Sequence, residues 1–223
     1  EKFSRLIIQD AGGRMKPVNT FASELLRKVS KKDTYNGMDA NQVAVSIVTN
    51  ARAWYSVPFI YMKKDNTKVR DLIGIPKDQK YARLSDMFTE KGEYKLREEV
   101  AKAHKKKIKN KFEESILNID GRINILYGAI GGSIFKFFPL DGDKNNKWFS
   151  YVEQKTANFK GTDSLFVANI LPLYARSLYT AVKDGNYEKA NEYLDSMHKY
   201  QVKFGSEVMP SDKKINLELF YNK

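Results

Sequence analysis

The sequence predicts a mainly α-helical fold with small β elements, of the α+β class. Three observations support this prediction: a long central helix, one β-hairpin after it, and a helical hairpin near the C-terminus. From Glu93 to about Ile130, apolar residues recur every three or four positions, which places one apolar stripe along a helix. The stripe consists of Leu96, Val100, Ala103, Ile108, Phe112, Ile116, Ile119, Ile123, Leu126 and Ile130. A straight helix of this length measures roughly 55 Å. We therefore expect it to bend, break or project, with weak points at Asp120-Gly121 and within His104–Lys111.

Shorter elements are predicted before the central helix. They are, in order, a strand Arg5–Gln9, a turn Asp10–Gly13, a helix Phe21–Val29, a helix from Asp39 to about Ala53, a strand Pro58–Met62, and short helices Lys68–Gly74 and Tyr81–Phe88. Asn19 or Thr20 is expected to cap the first of these helices, since amide and hydroxyl side chains satisfy free helix N–H groups. Asp39 and Gln42 have the spacing of a capping box.

The elements after the central helix form the two predicted hairpins. Segments 133–140 and 147–153 are expected to pair around an Asp141-Gly142 turn. A helix from Asp163 to about Val182, kinked by Pro172, and a helix from Asn186 to Phe204 are expected to form the helical hairpin. Residues 185–190 resemble the first helix of a tetratricopeptide repeat, but no second copy follows at that repeat's period of about 34 residues.

Composition is that of a folded protein with one core. The 223 residues are 42% hydrophobic and 30% charged, and no low-complexity linker divides them, so a single domain over residues 1–223 is predicted. We expect no membrane span, because the most apolar segment, Leu165–Ala175, is short and interrupted by Asn169 and Pro172. The sequence begins with Glu1 rather than Met, so it is expected to be a piece of a longer protein.

The net charge of +12 comes mainly from lysine. The basic run lacks the interleaved aromatic residues that stack on bases, so no nucleic-acid partner is expected. A lysine-rich helix face is typical of a surface that is exposed to solvent or lies near anionic lipid head groups. The absence of cysteine excludes disulfides, thiolate ligands and a cysteine nucleophile.

Few residues of this sequence are candidates for catalysis or metal binding. His104 and His198 are the two imidazoles, and their spacing is not that of metal ligands. Each is interpreted as a surface or structural histidine, with haem contact as the alternative. The Asp141-x-Asp143-x-Asn145 run resembles the start of a calcium loop, but it lacks the later glycine and glutamate, so a hairpin turn explains it better. We predict no catalytic residue and no metal site.

Three segments resemble a known family. Leu6–Lys28 contains the pattern Gly13, Arg14, Lys16, Pro17, Thr20, Ala22, Glu24, Arg27 and Lys28. Ile215–Lys223 is similar to a helix that leads into membrane helices, and Phe137–Leu140 followed by Trp148–Ser150 is a weaker match. Together they resemble the fused system II cytochrome c synthases, which are the ResB/ResC-type (or CcsB/CcsA-type) cytochrome c biogenesis proteins.

The resemblance implies an extracytoplasmic soluble domain that precedes ResC-type membrane helices, at the periplasmic face of the bacterial inner membrane. It implies that the full-length protein is a cytochrome c haem lyase with haem as cofactor. The implied partners are apocytochrome c, the membrane portion of the same polypeptide and anionic lipid head groups. This domain would dock or scaffold rather than catalyse. The family's haem ligands lie on the membrane part and in a tryptophan-rich segment. Trp54 and Trp148 are isolated, so those ligands are not transferred to this sequence.

Two interpretations of the Gly13–Arg27 motif stay open. In the structural one, Gly13 and Pro17 shape a strand–turn–helix and Arg14 pairs with a carboxylate such as Glu24. In the functional one, Arg14 and Lys16 contact an anion, either haem propionates or acidic groups of a partner. A different class of function is also open: a tetratricopeptide-like interaction module of an unrelated membrane complex.

Overall fold

Ten α-helices and three two-stranded antiparallel β pairs form within residues 1–222, which the computed structural model describes. The helices are α1 (Lys2–Arg5), α2 (Val18–Ser30), α3 (Ala40–Thr49), α4 (Ala51–Trp54), α5 (Thr67–Ile73), α6 (Arg97–Lys105), α7 (Lys111–Ile130), α8 (Gly161–Asp184), α9 (Glu188–Gly205) and α10 (Asp212–Tyr221). The strands are β1 (Ile7–Gln9), β2 (Met15–Pro17), β3 (Ile60–Tyr61), β4 (Tyr81–Ala82), β5 (Phe138–Pro139) and β6 (Trp148–Phe149).

The predicted fold class, mainly α with small β elements, is confirmed. The predicted β-hairpin is present as β5–β6, with Phe138 opposite Phe149, and α8 and α9 pack together as the helical hairpin. Two further strand pairs, β1–β2 and β3–β4, form separate two-stranded sheets. Each strand is two or three residues long, too short for a clear alternation of apolar and polar residues.

The central helix breaks at the second of the two expected points. α6 ends at Lys105, and α7 begins after Asn110, whose Oδ1 accepts hydrogen bonds from the N–H groups of Phe112 (2.9 Å) and Glu113 (3.2 Å). Glu113 in turn accepts the N–H of Asn110 at 2.7 Å, which completes a capping box. Gly121 remains helical. The cap decides where the helix restarts, because it satisfies the free N–H groups of the first turn.

Three local predictions are wrong. α2 begins at Val18, directly after Pro17, so Asn19 and Thr20 lie inside the helix and do not cap it. Segment 81–88 forms strand β4 and one 3-10 turn instead of a helix. α8 begins after Lys160, which puts Asp163 in its first turn. By contrast, the Asp39–Gln42 capping box is confirmed, with both hydrogen bonds at 2.9 Å.

One continuous apolar core contains buried side chains of α1 to α9. A small second cluster, formed by Ile7, Trp148 and Ile215, joins β1, β6 and α10. α10 contributes one buried side chain, Ile215, to this cluster, and its partly buried Leu219 packs against it. Polar contacts make up much of the remaining attachment of α10.

Among the described residues, α8 is the one helix long and apolar enough to cross a membrane. α8 is longer than the apolar segment Leu165–Ala175 on which the expectation of no membrane span was based, and Asn169 and Pro172 interrupt its apolar run without adding charge. The absence of a membrane span stays a prediction. About 28% of its most apolar window is buried, and Val167, Ile170 and Leu171 pack into the core. Length and composition alone do not distinguish such a core helix from a membrane span.

Candidate functional site

The β1–β2 turn is built around Asp10. Its Oδ1 accepts the N–H groups of Gly12 at 2.9 Å and Arg14 at 3.0 Å. Gly13 adopts φ +83°, a left-handed conformation that glycine reaches without strain. The left-handed backbone conformation thus explains the structural role expected for Gly13. The turn is followed by Arg14, directly before β2, and by Lys16 within β2.

Lys16 is a buried cation held by two carboxylates. Its side chain is 3% exposed, and its Nζ lies 2.7 Å from Asp10 Oδ2 and 3.1 Å from both carboxylate oxygens of Glu24. Partial burial pushes the pKa of Asp10 upward, but hydrogen bonds from Lys16 and the Arg14 N–H, together with the lysine charge, outweigh burial and lower that pKa. The ion group ties β2 to the turn and to α2.

Arg14, Thr20 and Arg27 face a different element, α10. We call the polar group formed by Arg14, Thr20, Arg27, Glu218 and Asn222 the α10 latch. Arg14 Nη2 donates to Glu218 Oε1 at 2.7 Å, and the Thr20 hydroxyl donates to Glu218 Oε2 at 2.8 Å. One carboxylate therefore accepts hydrogen bonds from the residue before β2 and from α2.

The last residue of the latch closes it. Asn222 Nδ2 donates to Thr20 Oγ1 at 3.2 Å, and Arg27 Nη2 donates to Asn222 Oδ1 at 3.2 Å. Arg5 adds a hydrogen bond to Asn216 Oδ1 at 2.8 Å. Three arginine or threonine side chains of the sequence motif thus fix the orientation of a helix about 200 positions later in the chain.

A cleft of about 910 Å³ lies beside the latch, between α2, the start of α3 and α10. Two amide oxygens at this cleft, Asn19 Oδ1 and Asn41 Oδ1, are buried and accept no hydrogen bond in the described chain. Arg5 and Arg27 also line it. Unpaired buried acceptors are costly, but these two oxygens are shielded from the cleft itself. Its lining is mainly polar and includes two arginines, so the cleft suits a polar ligand, such as a peptide backbone.

The two histidines lie elsewhere. His104 is exposed on α6 and His198 is exposed on α9. Neither lines the cleft or any of the four smaller cavities of 220 to 420 Å³ in the described chain. No group of three or more metal-ligating side chains occurs in residues 1–222. Haem contact by His104 or His198 stays a prediction.

The sequence-based interpretation of the Gly13–Arg27 motif did not include Glu218 or Asn222, the latch residues near the C-terminus. It gives Arg14 the partner Glu24, whereas Lys16 takes Glu24 and Arg14 takes Glu218. It predicts Ile215–Lys223 only as a helix leading onward; the structure places most of α10 within it, and Lys223 lies outside the described residues. The acidic Glu218 on an otherwise apolar and amide-rich segment is the available signal.

No protein-family model matches the chain. A search of curated proteins finds Protein NrfI of Wolinella succinogenes, which is 35% identical over 223 residues. The chain is homologous to one part of NrfI. The match covers 99% of this chain, so it includes the β1–β2 turn and Glu218 of α10, but it covers only 24% of NrfI. The chain thus spans about a quarter of the length of that relative. Assignment to the fused ResB/ResC type stays a prediction.

Proposed function

We propose that this chain is an extracytoplasmic scaffold of a cytochrome c biogenesis protein, which supports haem attachment to apocytochrome c. Two similarities support the proposal: the motif pattern that resembles cytochrome c synthases, and the match of nearly the whole chain to part of NrfI. One structural observation carries it. Arg14, Thr20 and Arg27, which belong to that pattern, converge on α10 through Glu218 and Asn222.

The latch gives the scaffold a physical task. In the proposed full-length protein, α10 leads into membrane helices at the periplasmic face of the inner membrane. The orientation of α10 then sets how the domain stands over the membrane portion, which is a partner in the same polypeptide. The neighbouring cleft, with its mainly polar lining, is the proposed contact for an extended segment of apocytochrome c.

Haem is proposed as the cofactor of the whole protein, and we propose no haem ligand among residues 1–222. His104 and His198 are exposed on separate helices, and the residues lining the large cleft include no histidine or methionine. Lys16 is buried within its own ion group, so it reaches a propionate only by giving up its contacts with Asp10 and Glu24. We therefore assign this chain no step in thioether bond formation.

A haem titration followed by visible absorbance tests this assignment. We expect His104→Ala and His198→Ala to leave the spectrum of the 223-residue chain with haem unchanged from wild type. A saturable Soret shift that disappears in one of the two variants would make that histidine a ligand and contradict the scaffold-only assignment.

The function itself is tested by haem attachment in cells. The full-length protein carrying Arg14→Gln and Glu218→Gln is expressed in a host without its own synthase, and covalent haem in c-type cytochromes is measured with protein abundance. We expect attachment per molecule to fall. The matched control, Glu99→Gln with Lys102→Gln, removes an exposed ion pair of the same 2.7 Å length on α6 and is expected to retain attachment. Full attachment by the latch variant would contradict the proposal.

A further inference from the structure

The segment Lys105–Lys111 connects the end of α6 to the start of α7 and is the most lysine-rich run of the sequence. We call it the basic loop. It contains five lysines among seven residues, in the order K-K-K-I-K-N-K. At its centre, Ile108 is 91% exposed, which makes it the most exposed large apolar side chain in residues 1–222. Packing against the apolar core therefore does not explain the position of this side chain.

Part of the loop is anchored, and part is free. Lys106 pairs with Glu113, and Lys111 pairs with Asp65 at 2.8 Å. Lys109 donates to the carbonyl of Lys106 at 3.0 Å. These contacts fix the shape of the loop at both ends. Lys105 and Lys107 are exposed, and no carboxylate of the described residues lies within ion-pair distance of either.

A second basic segment lies against the loop. Asp65, which holds Lys111, is flanked by exposed Lys63 and Lys64. Lys68 places its Nζ over the ring of Phe112, 5.6 Å from its centroid. These two contacts bring the second basic segment next to the end of the loop that follows Ile108.

We propose that this surface docks on an anionic lipid bilayer, with Ile108 inserted at the boundary between head groups and acyl chains. Nucleic acid satisfies the lysines but has no apolar region that would take an exposed isoleucine out of water, and an acidic protein does so only if it places an apolar pocket opposite Ile108. An anionic bilayer satisfies both, because head groups attract lysine and the acyl boundary removes the isoleucine from water. The inference rests on the proposed function only in placing the chain beside a membrane.

Fluorescence of Ile108→Trp reports insertion directly. The two natural tryptophans, Trp54 and Trp148, are buried, so they contribute an emission that vesicles do not change. We expect the emission of the introduced tryptophan to shift to the blue with vesicles containing phosphatidylglycerol and to stay unshifted with vesicles of phosphatidylcholine alone. Equal shifts, or no shift with either composition, would overturn the proposal.

Affinity variants separate charge from insertion. A lysine near an anionic surface contributes about fivefold in affinity, so Lys105→Glu with Lys107→Glu is expected to weaken vesicle binding at least about 25-fold. Ile108→Ser is expected to weaken it about tenfold. The control, Lys144→Glu with Lys199→Glu, makes the same charge change at exposed positions on the β5–β6 turn and α9 and should weaken binding far less.

Three results would overturn the inference. The control variant could bind vesicles as weakly as the loop variant, the Ile108→Ser variant could bind them like wild type, or the chain could bind duplex DNA more tightly than anionic vesicles. These outcomes are distinct from failure of the proposed function. Vesicle binding is measured on the 223-residue chain, whereas haem attachment is measured on the full-length protein. Loss of one with retention of the other identifies which proposal is wrong.

Discussion

Lys16→Met removes the buried ammonium group and keeps a side chain of similar length. Asp10 and Glu24 then lose their common cation inside the β1–β2 turn. Removing one partner of a buried ion pair typically costs about 3–5 kcal/mol. Here the carboxylates are 24% and 31% exposed, so water relieves part of the loss. We expect the free energy of unfolding to fall by about 2–3 kcal/mol.

Urea unfolding near neutral pH measures this loss, and a midpoint shift of about 1 M corresponds to it. Lys28→Met is the matched control, because Lys28 contacts the same Glu24 at 3.6 Å but is itself exposed. Its expected cost is at most about 0.5 kcal/mol. If the two variants lose the same stability, burial does not strengthen the Lys16 ion group and the reasoning is refuted.

The cost of Lys16→Met also depends on pH. The pKa of Asp10 is lowered in the folded chain, because hydrogen bonds and the Lys16 charge outweigh partial burial. A carboxyl with a lowered folded pKa stabilises the fold above its unfolded pKa, and this contribution disappears as pH falls through the folded value. The difference between wild type and variant should therefore be full near neutral pH and shrink below Asp10's ordinary pKa of 3.8. A difference that grows on acidification would contradict this sign.

Two further stability predictions rest on single side chains. Gln201 is buried, and its amide exchanges hydrogen bonds with Ile7 N (3.0 Å) and Ile7 O (2.7 Å). Gln201→Leu leaves these groups unpaired and should cost about 2–4 kcal/mol in urea unfolding; a loss under about 1 kcal/mol would contradict it. A methyl group on Gly205 would overlap the indole of Trp148, whereas one on Gly121 meets open space. Gly205→Ala should lower the melting temperature and Gly121→Ala should raise it; shifts of the same sign would contradict the packing.

Elements with strong local signals were predictable from sequence. The capping box at Asp39 and Gln42, the left-handed Gly74 that ends α5, and the break of the central helix all depend on neighbouring residues. β3 lies within the predicted strand Pro58–Met62, whereas β4 lies in a segment that was predicted as a helix. A strand of two residues carries no periodicity, and its pairing depends on distant backbone.

In the candidate site, too, contacts between neighbouring residues could be predicted and contacts between distant residues could not. The Asp10–Gly13 turn follows from local residue types, so its structural role could be predicted. The partner of Arg14 could not, since Glu218 lies 204 positions away and no local pattern connects them. Asn19 was expected as a cap, and its buried amide oxygen at the cleft becomes apparent only when α2 and α10 are placed together.

The central claim, that the motif holds α10 in place, is tested most directly by hydrogen exchange of the α10 amides. Glu218→Gln removes the charge that Arg14 and Thr20 contact, and the control Glu99→Gln removes a charge from α6. We expect the variant to speed exchange in α10 by about tenfold, which corresponds to about 1.4 kcal/mol, and to leave α7 unchanged. Unchanged exchange in α10 would show that the latch does not hold this helix, and the scaffold account would then be wrong.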